Sequence, residues 1–479
     1  MRSGCLTQYF MAGAVFVLTD ISFAQTAPPP RTPLADIVRT PGYTETQTNT
    51  GVVVQTVCGQ LNTQNSTNQN LTTDQKDLLL QCRRMVRTAN KLLGNVNLPG
   101  SPTLGDAATE DTLKQVLQQV APEELAANSR TAIEATAKST ASAIRGRLSA
   151  LRAGAQDLSM NGTEHRANGN SYTSQQVFSR KQRGGMAGAD EVVGGKLGVF
   201  VNAAYNTGDK NETSREDGFD FNNWSLLGGV DYRFTDKFIA GVALGYSQTK
   251  VDITRSQGSI DSDAWNLNTY ATLNLDKFYI EGSVGYSLNG YDSDRNISYS
   301  TQDPNFIEQR IAKGSTDGKQ FNVSLGAGYD LALGGFTLTP YGRAEYIKLN
   351  IDAFNETGAR GLNLHVDGQG ANSTQSALGL RGSYAISTGI GALIPQASVE
   401  WIHEFANNSR NITARYVNDP RNNVIVIPTE QPDRNYFRIS LGLSAVLQRG
   451  WSGFVNYENL QGLSNITQHS LLFGMRKEL

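Results

Sequence analysis

The chain has 479 residues, 42 basic against 44 acidic side chains, and a formal net charge of −2. That balance lacks the net basic charge typical of a nucleic-acid-binding domain, and the length allows two or three domains. Negative mean hydropathy favours a soluble protein, yet it does not exclude a membrane barrel, whose strands show lipid only at every second residue.

Residues 1–24 read as a secretory signal: Arg2 is the positive start, Phe10 to Leu18 the apolar run and Ser22-Phe23-Ala24 the cleavage site. Asp20 interrupts this pattern, so a retained signal anchor is the alternative. Cys5 precedes the apolar run and is not placed like a lipoprotein cysteine. Residues 25–48 are rich in Pro and Thr, which predicts an extended linker.

A short region, 49–121, follows. With Cys5 removed by export, Cys58 and Cys82 are the remaining cysteines, and an oxidising compartment favours a disulfide between them. A zinc site would need more ligands, and no histidine lies between the two. Thr72-Thr73-Asp74-Gln75 is a capping box for a helix whose face carries Leu79, Cys82, Val86 and Leu93. Leu113, Val116, Leu117 and Val120 predict a second helix.

Pro122-Glu123-Glu124 opens a third helix running to about residue 153, with a thin stripe of Ile133, Ala137, Ile144, Leu148 and Leu151. Small residues cover most of its remainder, and Arg145, Arg147 and Arg152 charge its end. Such a slender helix threads a narrow polar lumen and meets carboxylates there, or it packs as a solvated helix on the second one. Residues 154–190 are rich in Gly, Asn, Ser and Gln and read as linker.

From Lys196 onward the period changes to two. Leu393 to Phe405 places Leu, Pro, Ala, Val, Trp, His and Phe on odd positions, and most even positions are polar. Twelve such segments occur: 196–206, 222–234, 238–248, 264–275, 278–288, 319–333, 336–349, 375–387, 390–405, 434–448, 451–457 and 466–479. Their apolar faces include Leu197 to Tyr205, Phe238 to Tyr246, Phe321 to Tyr329 and Phe437 to Ala445, each at alternate positions. The opposite faces carry Asp231, Arg233, Arg343, Glu345, Arg381, Glu400, Arg438 and Arg476, which lipid would penalise.

Short connections (Thr235-Asp236-Lys237, Asp276-Lys277, Gly334-Gly335, Thr388-Gly389 and the neighbourhood of Gly450) alternate with long polar ones. Short periplasmic turns, long outer loops and an even strand number predict a twelve-stranded antiparallel transmembrane β-barrel, preceded by a small, mostly helical N-terminal region. A soluble sandwich also has many short strands, but it needs no such alternation of connections.

Several of these strands resemble a known family. Gly195 to Asn202, Gly228 to Arg233, Gly241 to Tyr246, Thr339 to Tyr346 and Pro395 to Phe405 are similar to the translocator domain of bacterial autotransporters, covering most of 190–479. The resemblance implies an outer-membrane barrel over 191–479, a helix in its pore and an N-terminal passenger carried to the surface. It also implies assembly by periplasmic chaperones and the outer-membrane insertion machinery. Family members usually end in Phe or Trp, which that machinery reads; here Phe473 keeps the outward parity but the last residue is Leu479.

Some autotransporter passengers are esterases or serine proteases. Gly-x-Ser-x-Gly, Gly-Asp-Ser-Leu and a usable His/Asp/Ser set are missing from this sequence, as are a phosphate loop, a metal cluster and any cofactor motif. His165 lies in the Gly/Asn-rich linker, and His403 and His469 have outward parity suited to the membrane interface. Asp217, Asp220, Asp261 and Asp263 read as solvated loop charge in preference to a cation site. Asn128 is the one Asn near the third helix, without the Asn-Asn pair of self-cleaving relatives, so an attached passenger is expected. The function expected is therefore export or display of the short N-terminal region; the alternatives are a plugged pore with a periplasmic N-terminal region, or a surface esterase with an unrecognised site.

Overall fold

Alternation of apolar and polar residues is satisfied by a sheet that closes on itself, because closure leaves no unpaired edge in lipid. A computed structural model describes residues 32–121, 144–148, 151, 164–167, 170–173 and 196–479, apart from 68, 98, 99, 214, 255, 256, 304, 305, 448 and 449. The signal at 1–24, Asn128, Arg152, Ile133, Ala137 and most of the third helix lie outside these residues.

The strands are β1 (Leu197–Lys210), β2 (Phe219–Arg233), β3 (Phe238–Ile253) and β4 (Gly258–Leu275). Next come β5 (Phe278–Ser300), β6 (Ile307–Tyr329), β7 (Phe336–Ile351) and β8 (Gln369–Tyr384). The last four are β9 (Gly391–Glu404), β10 (Asn435–Leu447), β11 (Trp451–Gln461) and β12 (Ile466–Glu478). Each pairs with its sequence neighbours, and β6 and β8 continue after a one-residue break as Leu331–Leu333 and Ile386–Thr388. Antiparallel pairing of β12 with β1, with Arg476 opposite Phe200, closes the barrel.

The parity is that of the sequence. On β3, Val242 and Leu244 are 48% and 56% exposed while Ala243 between them is 2% exposed. Trp224 and Tyr232 mark two aromatic levels on β2, eight residues apart, or roughly 20 Å along the axis at a 40° tilt. The tight turn at Asp276 has φ 53°, and Gly334 in another has φ 68°, as hairpins of this length demand.

Several strands run longer than the sequence pattern predicts. β5 extends to Ser300 and β6 starts at Ile307, so most of the expected loop between them is a projecting hairpin. The reason is a change of parity. Below the rim the apolar residues of β5 face outward (Val284, Tyr286, Leu288); above it Tyr291, Ile297 and Tyr299 face inward and are buried. β7 does the same, from Tyr346 outward to Ile347, Leu349 and Ile351 inward. Above the membrane the outside is water and the inside is protein, so the same ladder turns its apolar side in.

Residues 33–121 are not preceded by an extended linker as far as 48. Instead α1 (Pro33–Ile37) and α2 (Glu45–Ser66) occupy much of that stretch, then α3 (Thr73–Leu92) and α4 (Glu110–Gln119) follow. Capping boxes start α2 at Thr44/Gln47 and α3 at Thr72/Gln75. Cys58 and Cys82 form a disulfide joining α2 and α3, with Cα atoms 5.5 Å apart. Backbone pairing of Glu164–Ala167 with Asn170–Thr173 makes a short hairpin within the expected 154–190 linker.

The long connections after β7 and β9 contribute a four-stranded sheet of Phe354–Asn355, Leu364–Val366, Asn411–Tyr416 and Ile425–Pro428. This sheet and the helices share one core: Leu34, Val57, Leu61, Leu78, Met85, Leu113 and Leu117 pack in a single cluster with Ile297, Leu362, Leu364, Ile412, Tyr416 and Ile425. Residues 33–121 are therefore a lid built onto the long-loop end of the barrel, the end opposite the short turns.

Candidate functional site

Two places carry the arrangement: the lumen, with a helical turn inside it, and the mouth under the lid. Residues 144–148 and 151 are helical, and Ile144, Leu148 and Leu151 pack on inward-facing Phe200, Leu227, Ile239, Ala243 and Tyr270. This places the helix end in the lumen and not on the protein's surface. Gly146 faces Phe454, where an added Cβ would come within 3.0 Å of the ring, so the slender face seen in the sequence matches the available room.

Opposite charges line both sides of the helix. Arg147 pairs with Asp231, each about 1% exposed, and its guanidinium lies 4.6 Å from the Phe200 ring centre. Asp231 also accepts from Tyr270 Oη and Arg476 Nη2, both at 3.3 Å. On the other wall Arg145 sits 3.7 Å from Glu345, and Glu345 is 3.8 Å from Arg343. Arg343 donates to both oxygens of Glu400 at 3.1 and 3.2 Å, and Arg438 donates to Glu400 at 2.6 Å. Arg233 approaches Glu478 at 3.9 Å, while Arg381 stacks over Tyr341 at 5.1 Å.

Every predicted lumen charge thus faces inward, and the structure brings them into two networks around Asp231 and Glu400. The sequence pattern does not reveal Glu458, 3.6 Å from Arg438, because the alternation over 451–457 stops short of it while the strand continues to Gln461. Tyr270, on the inward face of β4, was also missed, although its parity marks it.

At the mouth, Arg295 donates to Glu356 at 2.9 Å, to Leu362 O at 3.0 Å and to Gln119 O at 2.7 Å. The last contact gives the Gln119 carbonyl, at the C-terminal end of α4, a side-chain donor. Lys210 pairs with Glu216 and reaches Glu430 at 3.5 Å, which ties the β1–β2 and β9–β10 connections together. Gln118 of α4 donates to Asp217. Asp217 is 3% exposed, so it is a buried acceptor and not the solvated loop charge expected. Asp261 and Asp263 are exposed on the outer face of β4, and Asp220 is exposed on β2.

A second lid contact joins α3 to the β5–β6 hairpin. Arg310 holds Asp77 and Glu308, Arg84 donates to Glu308 at 2.7 Å, and Tyr299 Oη donates to Gln81 at 2.6 Å. Burial pushes the Asp77 and Glu308 carboxyls up, but hydrogen bonds and charge from Arg310, with Arg84 at Glu308, outweigh it and hold both below their ordinary values.

His403 lies on the outer wall between Trp401 and Phe405, 4.6 Å from the latter ring, and His469 stacks on Tyr457. Both sit among interfacial aromatics. Phe473 and Leu479 are outward and exposed, and Leu479 N donates to Leu197 O at 2.9 Å.

A closed wall of twelve strands, apolar outside, charged inside and occupied by a helix, defines an outer-membrane β-barrel. Residues 199–458 match the family model described as "Autotransporter beta-domain", and the chain belongs to that family. It is 27% identical over 241 residues to esterase EstA of Pseudomonas aeruginosa, covering 48% of this chain and 34% of that protein. It is 22% identical over 230 residues to an extracellular serine protease of Serratia marcescens, covering 48% of this chain and 21% of that one. The matched stretches thus span about a third of one of these curated relatives and about a fifth of the other. Among solved structures, the translocator domain of NalP from Neisseria meningitidis is 18% identical, with a TM-score of 0.47, covering 60% of this chain and 89% of that one.

Proposed function

We propose that residues 33–121 are the passenger of this autotransporter and that it stays attached, displayed at the cell surface as a lid over the barrel mouth. The observation that supports this most is the core shared by the helices and the long outer connections, since those connections face away from the short periplasmic turns. A periplasmic position for the same helices would separate the two halves of that core. In this reading the lid serves as a displayed surface. Delivery to the membrane is assigned to periplasmic chaperones and the outer-membrane insertion machinery.

The test uses two single cysteines and a membrane-impermeant maleimide on intact cells. Val96, 94% exposed between α3 and α4, is replaced in Val96→Cys, and Lys237 of a short turn in Lys237→Cys. Labelling at 96 without permeabilisation, and at 237 only after it, is the expected result. Labelling at 96 only after permeabilisation overturns the reading.

A further inference from the structure

The outward face of α3 carries Lys76, Arg83, Arg87 and Lys91, with Leu80 exposed among them. Arg83, Arg87 and Lys91 recur at intervals of about 6 Å along the helix axis. Among the described residues none of these four cations is ion-paired; Lys91 Nζ donates to the Asp106 carbonyl at 2.7 Å, Asp77 is held by Arg310 and Arg84 by Glu308. Burial, and after it the nearby Arg87 charge, hold the Arg83 guanidinium below its ordinary value.

Polar amides flank the stripe. Asn62 of α2 accepts from Arg83 Nε at 2.9 Å and Nη2 at 2.5 Å, which fixes that guanidinium and leaves its Nη1 side for a ligand; Asn90 donates to Asn97 Oδ1 at 2.7 Å, and Asn97 donates to Arg87 O at 2.8 Å. Arginine forks match oxyanions in a two-point manner, amides suit hydroxyls, and Leu80 offers an apolar spot for a sugar C–H face. We propose that this face of α3 binds a multivalent anionic saccharide, whose sulfate, phosphate or carboxylate groups are met by Arg83, Arg87 and Lys91.

The test uses the full-length protein in detergent micelles, with heparin and purified lipopolysaccharide as separate probes. Failure there leaves the display reading untouched, because purified protein has no sidedness. Binding to at least one probe at low salt, weakening as salt rises, is expected. Arg83→Gln/Arg87→Gln/Lys91→Gln together are expected to weaken it about tenfold or more. Arg87→Gln/Lys91→Gln, which keeps the Arg83–Asn62 contact, is expected to show part of that loss; Lys237→Gln/Lys277→Gln on the short turns is expected to show none. Binding to one probe alone supports the proposal and identifies the source of the anion. The proposal is overturned by absence of salt-sensitive binding to both probes, or by undiminished binding of the triple variant.

Discussion

Arg310 grips Asp77 with its two terminal guanidinium nitrogens, Nη1 at 2.5 Å and Nη2 at 2.8 Å, across 233 residues of chain. One residue stands on the barrel's projecting hairpin and the other on α3 of the lid. Arg310→Ala takes the cation from partly buried Asp77, which keeps Gln81 and Gly361 N, and leaves Glu308 with Arg84, a loss of about 3 kcal/mol by analogy with broken buried pairs. The lid is expected to become protease-sensitive while the barrel keeps its heat-modifiable mobility in gels. A lid that stays resistant would show that this contact does not hold it down.

Gly361 is the point where the β7–β8 connection meets α3. An added Cβ there would lie 2.4 Å from Leu78 N and 2.6 Å from Asp74 O, both helix backbone that cannot step aside. Gly361→Ala is therefore expected to undock α3 as Arg310→Ala does, by sterics and without a charge change. Hydrogen exchange of the α3 amides measures it, with faster exchange in the variant as the expected outcome.

Acid acts on the same contact with a definite sign. Asp77 and Glu308 titrate below their ordinary values in the folded lid, so their contribution is complete above the unfolded values near 4 and fades as pH falls through the lowered ones. The thermal midpoint of the helical circular dichroism signal, which among the described residues comes mainly from the lid, is expected to stay level from pH 7 to about 5. It is expected to drop only below about pH 4. A decline that begins above pH 5 would assign the acid sensitivity to other groups.

Within the lumen, Arg147→Ala leaves Asp231 buried with Arg476 and Tyr270 as its partners among the described residues. Loss of a buried partner of this kind costs about 3 kcal/mol or somewhat more. The barrel's urea midpoint, followed by gel mobility, is expected to fall, and single-channel conductance to rise as the helix loosens. An unchanged midpoint would mean that Arg476 alone satisfies Asp231.

The barrel wall was legible because lipid on one side and water on the other impose a strict alternation, as in Leu197 to Tyr205. The lumen charges followed from parity alone. What escaped was the part where neither solvent rule holds. Residues 289–318 read as polar loop because the apolar positions change face at Tyr291, so a search for one continuous outward stripe stops there. α2 escaped for another reason: its surface is Asn, Gln and Thr, yet Val54, Val57, Cys58 and Leu61 at i, i+3, i+4 and i+7 were available to mark it. That the lid and the outer connections share a core is a long-range fact, and no local pattern in 33–121 announces it.

The change of face along the strands amounts to a waterline written into the barrel. It falls between Leu288 and Tyr291 on β5, between Tyr246 and Val251 on β3, and between Tyr346 and Ile347 on β7. Joining such points around the circumference traces the plane of the outer leaflet's headgroups, so the angle at which the cylinder leans in its bilayer can be taken from the protein alone.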